Sequence, residues 1–77
     1  MKIRIYTTPR CGYCNMAKDY FKSKNLQYEE IPLVGNPSAQ QLVVEKAGMV
    51  AAPIIEINGK FVVGFSRHEI ESILNGQ

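Results

Sequence analysis

The sequence predicts a small α/β fold in which a four-stranded mixed sheet is flanked by three helices, in the order β-α-β-α-β-β-α. Near the N-terminus, an alternating apolar segment is followed by helical periodicity and then by another short apolar run. This succession is typical of a parallel βαβ unit. Further along, Asn58-Gly59 separates two apolar runs, and this pair is the strongest short signal of an antiparallel hairpin. Helices must then cover both faces of the sheet.

The N-terminal part of the chain supplies the predicted βαβ unit. Ile3 and Ile5 alternate with polar residues and share one face of the first strand. Thr8-Pro9-Arg10 is predicted as a loop, because proline interrupts the strand pattern. The apolar positions of the helix that follows are Cys14, Ala17 and Phe21, at spacings of three and four. The predicted bounds are 2–7 for the strand, about 12–25 for the helix and 26–33 for the second strand.

The remaining elements begin and end at recognisable residues. Asn36 is a favourable N-cap and Pro37 suits the first helical position, while Gly48 can end that helix. Ser66 and Glu69 form an S-x-x-E capping box before the last helix. The predicted bounds are about 37–47 for the second helix, 54–57 and 61–64 for the hairpin strands, and 66 to 76 for the last helix, which Gly76 ends. The apolar faces of these helices are Leu42, Val43 and Ala47, then Ile70, Ile73 and Leu74.

Length and charge restrict the classes of protein to consider. Residues 1–77 are enough for one domain. The net charge is +2, and the basic residues are scattered, so we expect no nucleic-acid partner. Lys18, Lys22 and Lys24 are interpreted as the solvated face of a helix. The sequence contains neither an apolar run of about 20 residues nor a signal-peptide pattern, so we expect no membrane association and a cytoplasmic location.

Cys11 and Cys14 are the only cysteines, and they lie at the predicted junction of the first strand and the first helix. Unpaired backbone N–H groups and the helix dipole at that junction favour a thiolate over a thiol, and Arg10 adds positive charge. Cys14 lies one turn further on and could attack a mixed disulfide formed on Cys11. A structural disulfide, a zinc site shared across a dimer and a coincidental pair of core cysteines remain as alternatives. The position of the C-x-x-C within a βαβ unit favours redox chemistry.

Several of these residues together resemble the glutaredoxins. The segments that carry the resemblance are Thr7 to Cys14 before a helix, Ala52-Pro53 before a strand, Asn58-Gly59, and Gly64-Phe65 before the last helix. The resemblance covers essentially the whole chain and implies a thioredoxin fold. It also implies a monomeric thiol–disulfide oxidoreductase that uses glutathione as co-substrate and holds no tightly bound cofactor.

The resemblance further implies roles for individual residues. Cys11 would be the attacking thiol and Cys14 the resolving thiol, and Pro53 would follow a cis peptide bond. Disulfide-containing proteins and glutathione mixed disulfides would be the substrates. The residues expected to shape the substrate and glutathione groove are Arg10, Tyr13, Ala52, Pro53, Gly64, Phe65, Ser66 and Arg67.

The sequence also departs from the glutaredoxin pattern where that family holds glutathione. Thr8 replaces a usual lysine, Ala51-Ala52 replaces Thr-Val, and Ser66-Arg67 follows Gly64-Phe65 in place of acidic residues. The N-terminus of the last helix and Arg67 could still bind a carboxylate. Gly64-Phe65 is also similar to the NrdH-redoxins, which donate electrons to ribonucleotide reductase and are reduced by thioredoxin reductase.

Gly12 is a further departure, since most dithiol glutaredoxins have proline at this position. Glycine removes a fixed backbone angle and adds an N–H group. In the family that this chain resembles, loss of the proline is associated with a [2Fe–2S] cluster held between two subunits. Cys11 would then be a cluster ligand, with glutathione supplying the additional ligand.

Overall fold

The computed structural model describes residues 1–76, and its elements follow the predicted order β-α-β-α-β-β-α. The strands are β1 (Ile3–Thr7), β2 (Glu29–Pro32), β3 (Ile54–Ile57) and β4 (Lys60–Val63). The helices are α1 (Gly12–Ser23), α2 (Pro37–Ala47) and α3 (Arg67–Gly76). None of these helices is both long enough and apolar enough to cross a membrane.

The four strands form one mixed sheet in the order β2-β1-β3-β4. β1 is parallel to β2 and antiparallel to β3, and β3 pairs antiparallel with β4. The β3–β4 turn consists of Asn58 and Gly59, with φ angles of 50° and 86°. Positive φ at both central residues matches the twist of a two-residue hairpin. The thioredoxin fold and the hairpin predicted from the sequence are therefore confirmed.

Helices cover both faces of the sheet, as predicted. α1 and α3 pack on one face through Ala17, Phe21 and Ile70, against Ile3 and Ile5 of β1. α2 packs on the other face. Its cluster contains Tyr6, Leu33, Ala39, Val43 and Ile54, and Leu42 and Ala47 are partly buried against it. The alternation of β1 between these two clusters is the period of two expected for a strand covered on both sides.

The boundaries of α1 and β2 differ from the prediction. α1 ends at Ser23 rather than near Asn25, because Asn25 adopts a left-handed φ of 57° that a helix cannot continue. β2 begins at Glu29 rather than at residue 26. Leu26 and Tyr28 are apolar because they pack against the core from the connecting segment, not because they pair in the sheet.

Smaller differences concern the C-terminal part. β4 occupies Lys60–Val63 instead of 61–64, because Gly64 leaves the strand with a φ of 84°. α3 begins at Arg67 rather than at Ser66, and its last residue is Gly76, as predicted. Tyr20 is a buried member of the core that the predicted face of α1 omitted.

Candidate active site

One edge of the sheet collects the residues that the sequence singled out. β1 pairs with β3 as far as Tyr6 and Ile54. Pro53, which comes just before Ile54 in the chain, therefore lies at the carboxyl end of β1, where the loop that leads to Cys11 begins. The Gly64 N–H donates to the Pro53 carbonyl at 2.8 Å, which brings the start of α3 to the same edge. The N-terminal ends of α1 and α3 and Pro53, which precedes β3, therefore lie at the end of the sheet where the cysteine pair follows β1.

Cys11 and Cys14 are joined by a disulfide, with their Cα atoms 5.2 Å apart. Cys11 is the N-cap of α1, and its Sγ accepts the backbone N–H of Cys14 at 3.1 Å. Its carbonyl begins the helical hydrogen bonds by accepting the Asn15 N–H at 3.2 Å. A sulfur in the N-cap position receives both a local donor and the positive end of the helix dipole. These contacts favour negative charge on Cys11 once the disulfide is reduced.

The two sulfur-bearing residues differ in access to solvent. Cys11 is partly exposed, whereas Cys14 is 2% exposed. A substrate disulfide can therefore approach Cys11 more readily than Cys14. Cys14 can reach an intermediate only by attacking the neighbouring Cys11. The attacking role of Cys11 and the resolving role of Cys14 stay predictions, and each would require this difference in exposure.

The surface beside Cys11 is apolar on one side and basic on the other. Tyr13 and Met16 are 65% and 50% exposed and form a shallow depression with Gly12. Arg10 is exposed and has a left-handed φ of 58°, so the chain turns sharply before α1. Tyr13 and Arg10 are thus accessible to a molecule that contacts Cys11.

The loop before β3 has the conformation that the resemblance implied. The Ala52–Pro53 peptide bond is cis, and Pro53 is fully buried. Ala51 and Ala52 are partly buried against the cluster under α2. Pro53 is therefore a fixed part of the scaffold at the edge that carries Cys11.

The residues at the start of α3 point in different directions. Phe65 packs into the core, with its ring centroid 5.7 Å from that of Tyr20. The Ser66 carbonyl accepts the Ile70 N–H at 2.9 Å and so starts α3. Arg67 Nη2 lies 3.2 Å from Glu71 Oε2. Phe65 therefore contributes mainly to packing, and Arg67 already has a carboxylate partner.

A second ion pair lies on the side of α1 that faces β2. Lys18 Nζ is 3.3 Å from Glu30 Oε2, and the buried Thr7 hydroxyl donates to the same oxygen at 3.0 Å. The interpretation of Lys18 as solvated helix surface missed Glu30 as its partner. The charge of Lys18 is thus largely offset within the chain.

The described residues offer few ligands for a metal ion. Within residues 1–76, no group of three or more His, Cys, Asp or Glu side chains is arranged to hold a metal. The two sulfur atoms of the cysteines are bonded to each other. Cys11 and Cys14 thus form a disulfide at the N-terminal end of α1.

The family model described as Glutaredoxin matches residues 3–62. A glutaredoxin-like 8.6 kDa protein in the rubredoxin operon of Clostridium pasteurianum is 31% identical over 72 residues, which cover 94% of this chain and 96% of that protein. Glutaredoxin 3 of Escherichia coli is 31% identical over 62 residues, which cover 80% of this chain and 75% of that protein.

Solved structures show the same fold. The glutaredoxin-like NrdH-redoxin from Escherichia coli has a TM-score of 0.79 to this chain at 23% identity, with 95% of each chain covered. The family model spans most of the sequence and includes both cysteines and Pro53. Together with the relatives, it shows that the chain belongs to the glutaredoxin family of thiol–disulfide oxidoreductases.

Proposed function

We propose that this oxidoreductase reduces protein disulfides and glutathione mixed disulfides through Cys11 and Cys14, with glutathione as its electron source. The observation that carries the proposal is the asymmetry of the pair. Cys11 is accessible and accepts the Cys14 N–H at 3.1 Å, while Cys14 is buried beside it. The chain would act as a monomer in the cytoplasm.

The first half of the proposed reaction consumes a substrate disulfide. The Cys11 thiolate attacks one sulfur, the substrate S–S bond breaks, and one half leaves as a thiolate. A mixed disulfide between Cys11 and the other half results. Cys14, after losing its proton, attacks the Cys11 sulfur and releases that half as a second thiolate. The substrate gains two electrons, and the Cys11–Cys14 disulfide seen in the structure forms.

The second half restores the dithiol. One glutathione thiolate attacks the Cys11 sulfur, which breaks the Cys11–Cys14 bond and leaves Cys14 as a thiol after it takes up a proton. A second glutathione attacks the sulfur of the bound glutathione and releases Cys11 as a thiolate. The products are one oxidised glutathione and the reduced protein, so two electrons enter the chain.

The proposed groove for these substrates surrounds Cys11. Tyr13 offers an exposed aromatic surface on one side, and the backbone of Ala52 lies beside Pro53 on the other. Positive charge from Arg10 and the N-terminal end of α3 would attract carboxylates. Gly64, Phe65, Ser66 and Arg67 shape that end of the groove.

A specific observation favours a second candidate, an NrdH-type electron donor to ribonucleotide reductase that thioredoxin reductase reduces. Arg67, which the resemblance assigned to glutathione, is paired with Glu71. Arg67, Glu69 and Glu71 together carry a formal charge of −1, so these side chains partly offset the attraction of the N-terminal end of α3 for a carboxylate. Reduction by thioredoxin reductase would not require a glutathione carboxylate to bind at the start of α3.

A [2Fe–2S] cluster is the third possibility that Gly12 raised. The chain has only two cysteines, so a cluster would take the reduced Cys11 thiolate and further ligands from a second chain and glutathione. The residues present do not form a complete site by themselves. A brown anaerobic preparation that bleaches in air, and that contains iron and sulfide, would show this binding. A colourless monomer with two titratable thiols would contradict it.

The decisive experiment is NADPH consumption on a small disulfide with two electron sources. One mixture contains glutathione and glutathione reductase, and the other contains thioredoxin reductase alone. We expect activity with glutathione. Activity only with thioredoxin reductase would show that glutathione is not the electron source and would favour the NrdH-type function.

The two cysteine variants test the division of labour in the same assay. We expect Cys11→Ser to abolish activity on every substrate. Cys14→Ser should lose more activity on a protein disulfide than on a glutathione mixed disulfide, because a second glutathione can resolve the latter. An active Cys11→Ser variant would overturn the attacking role, and equal losses in Cys14→Ser would overturn the resolving role.

A further inference from the structure

Glu71 connects α3 to α1 through a single carboxylate oxygen. Its Oε2 accepts the Tyr20 hydroxyl at 3.2 Å and lies 3.2 Å from Arg67 Nη2. Tyr20 is 9% exposed and belongs to the core, so its hydroxyl fixes where that oxygen lies. Glu71 is thus held in place by a buried side chain from a different helix.

The Arg67 guanidinium is constrained on two sides. Glu71 binds one of its nitrogens, and the Tyr20 ring lies beneath it, with 5.2 Å between the guanidinium carbon and the ring centroid. Burial first, and then the Glu71 charge, raise the pKa of Tyr20, so its hydroxyl stays protonated and continues to donate to Glu71. The arrangement fixes both the direction of Arg67 and the negative charge beside it.

The Arg67–Glu71 pair disfavours the binding of an incoming carboxylate to Arg67. To bind Arg67, it must compete with Glu71 for the guanidinium donors, and it is repelled by the Glu71 charge at close range. The side chains of Arg67 and Glu71 are 64% and 41% exposed, so water screens the effect without removing it.

From these contacts we infer that Glu71 is a specificity-determining residue that acts through Arg67 and weakens the binding of glutathione carboxylates at this end of α3. The inference rests on the proposed use of glutathione as electron source. It implies that the chain discriminates against glutathione relative to a reductase that does not use Arg67.

Glu71→Gln tests the inference, because it keeps the side-chain shape and removes the charge. Exposed ion pairs contribute modestly, so we expect the KM for glutathione to fall about two- to fivefold, with kcat unchanged. Glu69→Gln is the matched control, since Glu69 is an exposed glutamate in the first turn of the same helix. The control should change KM by much less, and equal changes would show a general charge effect and overturn the inference.

The double variant Arg67→Gln/Glu71→Gln tests whether Glu71 acts through Arg67. We expect this double variant not to show the fall in the KM for glutathione that Glu71→Gln shows alone. A gain that survives without Arg67, or a KM that rises in Glu71→Gln, would overturn the inference. Tyr20→Phe provides a second variant that keeps the ring and removes the donor to Glu71, and we expect a smaller gain in the same direction.

Binding of S-methylglutathione, which carries the same carboxylates but no thiol, separates this inference from the proposed function. NMR shifts of the oxidised proteins give its affinity without turnover, and we expect the same order among the variants. If the wild type shows no glutathione turnover but Glu71→Gln binds S-methylglutathione more tightly than Glu69→Gln does, only the proposed function fails. If turnover occurs and the two variants behave alike, only the inference fails. If no variant binds S-methylglutathione, the inference is overturned regardless of turnover.

Discussion

Removing the hydroxyl of Tyr6 should destabilise the fold by an amount that declines as the pH rises above 10. Tyr6 is 1% exposed and donates to Glu56 Oε1 at 2.9 Å. Tyr6→Phe keeps the ring and its stacking against Phe61, where the centroids are 6.3 Å apart. A hydrogen bond to a charged acceptor contributes about 1.5–3 kcal/mol, so we expect a loss of that size in the free energy of unfolding at pH 8.

The pKa of Tyr6 determines how this difference depends on pH. Burial, followed by the hydrogen bond to Glu56 and its charge, raises this pKa from 10.0 to about 12. Because the pKa is higher in the folded state, the unfolded chain loses its phenol proton first. The stabilisation is therefore complete below pH 10 and declines between pH 10 and 12. Two pKa units correspond to about 2.7 kcal/mol, which is the stability that the parent loses relative to Tyr6→Phe once the pH exceeds both pKa values.

The assay is urea unfolding followed by circular dichroism at pH 8 and pH 11. Cys11→Ser/Cys14→Ala serves as the background for every protein, so that no disulfide is cleaved in alkali. By linkage, the difference in unfolding free energy between this parent and its Tyr6→Phe variant should shrink by about 1.4 kcal/mol between these pH values. Tyr13→Phe is the control, since Tyr13 is 65% exposed and should behave like the parent. A Tyr6→Phe difference that is equal at both pH values would refute the reasoning.

Two further predictions concern the core and a helix end, and both are measured as free energies of unfolding in urea. Phe21 is 0% exposed, so Phe21→Ala should cost about 3–5 kcal/mol, whereas Met16→Ala at a 50% exposed position should cost little. Gly48 caps α2 with a φ of 86° and donates to the Val44 carbonyl at 3.0 Å, so Gly48→Ala should cost about 1–2 kcal/mol. Gly12→Ala is its control, because Gly12 lacks a left-handed φ and has open space around it. Equal effects in either pair would contradict the structure.

The elements with clear end signals could be predicted from the sequence. Asn36 caps α2 by accepting the Ala39 N–H at 3.3 Å, and Gly48 ends it, so the predicted bounds of 37–47 agree with the structure. The Asn58-Gly59 turn was located for the same reason, since few residues adopt its φ angles. β2 has no such signal, and apolar character alone could not separate pairing from packing at Leu26.

The cysteine pair and its setting could also be predicted, but the partners of the charged residues could not. The junction of β1 and α1 follows from periodicity, and this junction makes Cys11 an N-cap. By contrast, Lys18 meets Glu30 only because β1 and β2 lie side by side. Arg67 and Glu71 do carry a local signal, their i, i+4 spacing, which could have indicated the pair. The bond from Tyr20 to Glu71 needs the packing of α1 on α3 and has no signal in the sequence.

The redox chemistry of the site and its recognition of an electron donor depend on different features of the chain. Backbone hydrogen bonds hold Cys11 at the start of α1 and join Gly64 to Pro53, so thiol–disulfide exchange depends on features that surface substitutions barely disturb. Under the proposed function, the choice of electron donor would depend instead on the cations of the proposed groove. Lys18 and Arg67 are each paired with a carboxylate of the chain, while Arg10 makes no ion pair within residues 1–76. If the proposed function and the inferred role of Glu71 hold, this single carboxylate would shift the preference between glutathione and a protein reductase while the redox pair stays unchanged.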